Sequence, residues 1–270
     1  MDGLVFGESL RWHDGRVWVA DWAQGQVWSC TGDGADRRLE TSVESFPLCF
    51  DFDGEGRLVL LDNAHRQVLR REPDGTLVPY ADLGALATTP WNEIVAAPRG
   101  GCFVDNIGFD FPEAEFAPGT VAHVAPDGTA RVVADGLAFP NGLAVVDRGA
   151  TLLVAESYAE CVTAFDVAPD GELTGRRTWA ATPGDHPDGI CADVDGALWV
   201  ADVGREHCFR VAEGGEVLAT VDFDRGAFSC TVSRDADPPR LFVVGQQFGG
   251  EPAGPSGLVA AYPAPADGAG

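Results

Sequence analysis

Short apolar runs, each closed by a polar residue or glycine, recur along the chain at a near-constant interval. RVWVAD ends at Asp21, RLVLLD at Asp62, GCFVDN at Asn106, TLLVAE at Glu156, ALWVAD at Asp202 and RLFVVG at Gly245. The intervals between these ends are 41, 44, 50, 46 and 43 residues, a period that marks repeats of several short strands. Four of the runs follow turns in which glycine sits beside a carboxylate or arginine: Asp14-Gly15, Gly54-Glu55-Gly56, Arg99-Gly100-Gly101 and Asp195-Gly196. Such pairs tolerate the left-handed backbone of tight hairpins, so each run is the second strand of a hairpin. A third strand follows in every unit (QVWSC, QVLRRE, TVAHVA, CVTAFDV, HCFRVA, LVAAY), and several then enter another turn and a fourth, more polar strand.

Six four-stranded antiparallel units predict an all-β, six-bladed β-propeller occupying residues 1–270 as a single domain. The chain ends after the third strand of unit six, and residues 1–6 precede the first inner strand, so they are expected to supply the missing outer strand and close the ring. No helix of any length is legible, which argues against a doubly wound α/β fold.

The innermost strand of a blade lines the central channel, and the residues that begin these strands crowd together at one mouth. They read Gly7-Glu8-Ser9, Phe46-Pro47-Leu48, Trp91-Asn92-Glu93, Pro140-Asn141-Gly142, Pro187-Asp188-Gly189 and Phe228-Ser229-Cys230. Four offer a hard oxygen donor: Glu8, Asn92, Asn141 and Asp188. Each lies 10 to 15 residues before the end of its own blade's second strand. That shared phase sets them apart from the ordinary Asn or Asp of a turn. Two carboxylates and two amide carbonyls, with water completing the shell, suit one divalent cation, calcium or magnesium first, with manganese or zinc also accommodated. In the Pro-Asn-Gly and Pro-Asp-Gly repeats, proline fixes the approach and glycine permits a close turn, so the side chain between is aimed.

Composition narrows the chemistry. The formal net charge of −24 repels phosphate backbones and anionic membranes, so neither nucleic acid nor a membrane surface is an expected partner. The acidic residues are spread along the whole chain, where they serve solubility. All 18 basic residues are arginine, which excludes Schiff-base chemistry and a lysine general base. The seven cysteines contain no C-x-x-C pair and read as buried small apolar residues. No apolar run reaches the roughly 18 residues that span a bilayer, and no export signal is legible, so a cytoplasmic location is expected. The sequence leaves the oligomeric state open.

The stretches FGESLRWHDGRVWVAD, PWNEIV, GLAFPNGLAV and HPDGICADVDGALWVAD resemble the SMP-30/gluconolactonase/LRE-like (regucalcin-like) family over nearly the whole chain. That resemblance implies a six-bladed propeller with one divalent cation at the channel mouth, many members hydrolysing lactones and some phosphotriesters. It implies Glu8, Asn92, Asn141 and Asp188 as metal ligands and Asp188 as the catalytic base. Members acting on sugar lactones carry Arg two residues before the Asn matched here by Asn92; this chain has Pro90. The family's Glu-Gly-Pro around the first ligand is Glu8-Ser9-Leu10.

The expected function is therefore metal-dependent hydrolysis of a lactone or similar small ester. The alternatives are another metal-assisted reaction on a less polar substrate, or a non-catalytic ligand-binding propeller. Expected substrate contacts are Trp91, Asn106, Phe109, Asp110 and His186, with Asp105 and Phe111 in the same VDNIGFDF segment. Cys191 and Cys230 fall on inner strands with no histidine placed to activate them, and read as packed thiols.

Overall fold

A computed structural model describes residues 1–248 and 254–269. Six four-stranded antiparallel sheets form a six-bladed propeller, and a single 3₁₀ turn, Asp147–Gly149, is the only helical element among the described residues. Blades one to five follow chain order from the inner strand outward, with inner strands Gly7–His13, Phe50–Phe52, Trp91–Ala96, Pro140–Val146 and Pro187–Ala192. Blade six takes its inner strand from Gly226–Val232 and its outermost from Asp2–Leu4, which pairs antiparallel with Gly257–Pro263. The N-terminal residues thus close the ring as their position in the sequence predicts.

The hairpins follow their turn chemistry. Asp14 and Gly15 both have positive φ, 49° and 70°, the arrangement whose twist matches the strands it joins. The second strands are buried on both faces, as in Leu58–Asp62 and Leu198–Asp202, which explains their near-continuous apolar runs.

Apolar side chains do not gather in one centre. They form six clusters, one at each interface between neighbouring blades. Trp91, Ile94 and Leu61 fill that between blades two and three, for example, and Trp199, Cys230 and Val243 that between five and six.

At the far end of the channel lies a cavity of 440 Å³, lined by Arg11, Asp51, Thr231 and the C-terminal Ala269 among others. The segment after Gly257–Pro263, unanticipated in the sequence, returns to this end. Ala269 N–H donates to Ala192 O at 2.9 Å and Gly268 N–H to Ser233 O at 2.9 Å, fastening blades five and six together. No helix among the described residues is long and apolar enough to cross a membrane.

Candidate metal centre at the channel mouth

The inner strands begin with a recurring irregularity. In blade three, Trp91 pairs with Asn106 but Ile94 with Val104, so three steps on the inner strand oppose two on its neighbour. The same single extra residue occurs between Pro140 and Leu143 in blade four, between Pro187 and Ile190 in blade five, and between Glu8 and Arg11 in blade one. A bulge twists the strand and re-aims the side chains beside it. Asn92, Asn141 and Asp188 lie inside their bulges and Glu8 at the edge of its own. Blade two pairs regularly from Phe50 to Phe52 and contributes no donor.

The polar residues that close the second strands hold these bulges in place. Asp21 accepts the Val5 and Phe6 N–H groups at 2.9 and 3.1 Å. Glu156 accepts the Ala138 N–H at 2.7 Å, and Asp202 the His186 N–H at 2.6 Å. Asn106 donates to Thr89 O and Pro90 O at 2.8 and 2.7 Å. Each fixes the backbone two or three residues before a candidate donor. The glycines after Asn141 and Asp188 act through close approach rather than a turn. A Cβ on Gly142 would stand 2.4 Å from Asp188 O, and one on Gly189 2.7 Å from the Ser229 Cα. Adjacent inner strands therefore meet backbone to backbone at the donors.

The structure brings the donors of neighbouring blades together. Asn92 Nδ2 donates to Asn141 Oδ1 at 3.2 Å, and Asn141 Nδ2 reaches Ser157 Oγ at 3.5 Å; that hydroxyl in turn donates to Pro187 O at 2.7 Å. Glu8 and Asp188 are buried, at 4% and 9% exposure. Burial, followed by the negative charges of Asp188 and Glu93, holds Glu8 well above the usual carboxylate range. Burial, followed by Glu93 and Asp202, raises Asp188 likewise. Among the described residues, no basic side chain pairs with either carboxylate. Isolated buried carboxylates are costly unless protonated or neutralised by a cation. Two such groups beside two amide oxygens form a hard-oxygen set that fits one divalent ion.

Below the mouth, Glu93 accepts from the Arg11 guanidinium at 3.0 Å and from its neighbour's N–H, Ile94, at 2.8 Å. Arg11 also lies 3.3 Å from Asp51. This buried pairing compensates Glu93 and spends Arg11. It was not anticipated, although an arginine and a glutamate on channel-facing strands signal it. Asp105 lies deeper still: Oδ1 accepts the Glu93 N–H at 2.8 Å, Oδ2 has no partner, and burial raises its pKa well above the ordinary value.

Three expected substrate contacts lie inside the protein instead: Asp105, Trp91 and Asn106. Trp91 is fully buried in the apolar cluster between blades two and three, because strand alternation turns it away from the face that carries Asn92. Asn106 is 2% exposed and uses both ends of its amide, Oδ1 accepting from Thr89 Oγ1 and the Gly108 N–H. Phe109 is packed within an aromatic group at the mouth, while Asp110, Phe111 and His186 are exposed on the loops around it. Cys191 and Cys230 face each other with sulfurs 3.8 Å apart; the Cys230 thiol, then burial, raises Cys191, and burial first raises Cys230.

Asp185, Asp202 and His207 form a second compact group of metal-ligating side chains. Its charges are already paired: His207 Nε2 lies 3.0 Å from Asp185, Arg205 Nε lies 3.4 Å from the same carboxylate, and Asp202 accepts the His186 and Arg205 N–H groups. The group clamps the loop that leads to Asp188.

Residues 6–245 match the family described as SMP-30/gluconolactonase/LRE-like region. An L-arabinolactonase from Azospirillum brasilense is 25% identical over 251 residues, covering 91% of this chain and 82% of that protein. The structure of a gluconolactonase from Xanthomonas campestris superposes with a TM-score of 0.76 at 25% identity, over 96% of this chain and 86% of the other. A luciferin-regenerating enzyme shares the fold with a TM-score of 0.83 at 16% identity, over 99% and 94% of the two chains.

Proposed function

The chain belongs to the SMP-30/gluconolactonase/LRE-like family, and from that premise we propose that it is a divalent-cation-dependent hydrolase of a lactone or similar small ester. Glu8, Asn92, Asn141 and Asp188 are the proposed cation donors, with calcium first among the ions because every donor is a hard oxygen. The observation that carries this reading is the pair of buried carboxylates, Glu8 and Asp188, set without basic partners beside two hydrogen-bonded amides at the channel mouth. The L-arabinolactonase and gluconolactonase relatives support a lactone as the substrate class.

When bound, a divalent cation supplies Lewis acidity to the ester carbonyl and to the water beside it. The chain's own residues do the rest. Asp188, buried at the start of the blade-five inner strand, takes a proton from the attacking water on a carboxylate oxygen. The water oxygen bonds to the carbonyl carbon, the ring C–O bond breaks, and the proton passes to the departing oxygen, giving a hydroxy acid. Glu8, Asn92 and Asn141, on the inner strands of blades one, three and four, would hold the cation together with Asp188. Asp110 and His186, exposed on the surrounding loops, are the polar groups proposed to meet substrate.

The test is a panel of aliphatic, aromatic and sugar lactones, assayed with chelator-treated and calcium-replenished protein. Turnover should vanish on chelation and return with calcium, and Asp188→Ala should lower kcat by about 10²-fold to 10⁴-fold. Hydrolysis that survives chelation would overturn the cation's role, and hydrolysis that survives Asp188→Ala would remove that residue from the mechanism.

A further inference from the structure

The residues two positions before the four proposed donors form a collar around them: Phe6, Pro90, Phe139 and His186. Three are apolar and none is an arginine. Each of the two phenylalanines is the centre of an aromatic group. Phe6 stacks on Trp22 with ring centroids 5.4 Å apart and meets Phe46 and Phe228 edge-on at 6.2 and 5.2 Å. Phe139 packs against Phe109, Phe111 and Tyr158 at 5.7, 5.3 and 4.8 Å. The first group is built from blades six, one and two and the second from blades three and four, so they face each other across the donors.

Exposure singles out the same end of the channel. The exposed aromatic residues among the described residues are Phe46, Phe111, Phe116, Tyr158 and Phe248. All five sit on loops at the mouth, and none lies on the far end or the outer strands. Phe248 extends the first group through Phe228 at 5.5 Å, and Phe116 extends the second through Phe109 at 5.8 Å. Apolar surface left in water is unfavourable in proportion to its area, so a concentration of it at one mouth calls for an apolar occupant. Two of the arginines on nearby loops are already engaged: Arg205 with Asp185, and Arg225 with Asp224 and Ser256 O. The net charge of −24 disfavours an anionic membrane surface as that occupant.

We propose that the two aromatic groups form a vestibule that receives an apolar substituent, so that the substrate is a lactone bearing an alkyl chain or aryl ring rather than a polyhydroxylated sugar lactone. The inference rests on the hydrolase reading. It assigns the ester group to the donors and the apolar substituent to the walls, with Phe111 and Phe116 on one side and Phe46 and Phe248 on the other.

The experiment compares kcat/KM for δ-valerolactone, δ-decalactone, dihydrocoumarin and glucono-δ-lactone on the calcium-loaded protein. Each fully buried methylene contributes about 0.8 kcal/mol, about fourfold, so even a half-buried pentyl chain should favour δ-decalactone over δ-valerolactone by at least about tenfold. In Phe111→Ser/Phe116→Ser that ratio should collapse toward one, whereas Val132→Ser, at an exposed apolar residue on an outer strand, should preserve it. Equal rates along the series, or preference for glucono-δ-lactone, would overturn the vestibule. Calorimetric binding of the non-hydrolysable δ-lactams, with and without the pentyl chain, separates the two readings. Pentyl selectivity without lactone turnover would sink the hydrolase reading and keep the vestibule. Turnover without selectivity in rate or binding would do the reverse.

Discussion

At the scale of single residues, burial decides which side chains the site can use. Trp91 and Asn92 are adjacent in sequence, yet one is fully enclosed between two blades and the other reaches Asn141 across the mouth. Periodicity of two separates them, and a reading by proximity in sequence groups them wrongly. His123 shows the same control over a proton. It is buried against Phe103, with centroids 5.0 Å apart, and its ring fills the place a Cβ on Gly171 would occupy, at 2.2 Å. Burial first, and Arg131 after it, lower its pKa, while Asp170 opposes them. A histidine whose folded pKa lies below its unfolded value of about 6.5 binds fewer protons folded than unfolded. Its contribution is therefore full above about pH 7 and is lost as the pH falls through that value toward the folded pKa. The stability advantage of wild type over His123→Gln, measured by urea unfolding, should shrink between pH 8 and pH 5; a constant difference would contradict this account.

At the scale of elements, the unit of design is a second strand whose last polar residue holds the start of the inner strand beside it. Asp21→Ala leaves the Val5 and Phe6 N–H groups without their acceptor. It should cost about 1–3 kcal/mol of stability and, because Glu8 follows immediately, weaken calcium binding by about 10-fold to 100-fold in calorimetric titration. Asp62 ends the corresponding strand of blade two, which carries no donor, and bonds His65 and Gln67 instead. Asp62→Ala should therefore lower stability while leaving calcium affinity within about twofold; an equal loss in both variants would refute a positioning role for Asp21. These closing residues were legible in the sequence because their period is written in residue type, and so were Glu8, Asn92, Asn141 and Asp188, which keep step with them. The bulges were not legible, since one extra residue in a strand leaves no compositional mark. Of the proposed vestibule only Phe109 and Phe111 were legible, because the walls join Phe46 to Phe248 and Phe111 to Tyr158 only after the chain has closed into a ring. The Arg11–Glu93 pair escaped for a related reason: its partners lie 82 residues apart.

At the scale of the molecule, six interfaces replace one core, so stability depends on every blade having two neighbours. Blade six meets that demand with both ends of the chain. Met1 and Val259 exchange hydrogen bonds at 2.9 and 2.7 Å, and Leu4 is buried against Val244 and Val259. Removing residues 1–5 should cost about 3 kcal/mol or more, a fall in Tm of about 6–12 °C for a chain of this size. It should also expose the long edge Gly257–Pro263 to self-association, visible by size-exclusion chromatography. A truncated protein that stays monomeric with unchanged Tm would show that the closing strand is dispensable. The same closure has a mechanical side. A load applied to the N-terminus acts first on a strand of three residues, Asp2–Leu4, peeled one ladder rung at a time, and Glu8 stands only four residues beyond it. Unzipping of the ring is therefore transmitted at once to the first proposed cation donor, so that tension would loosen the proposed ion site at its seam while blades one to five were still whole.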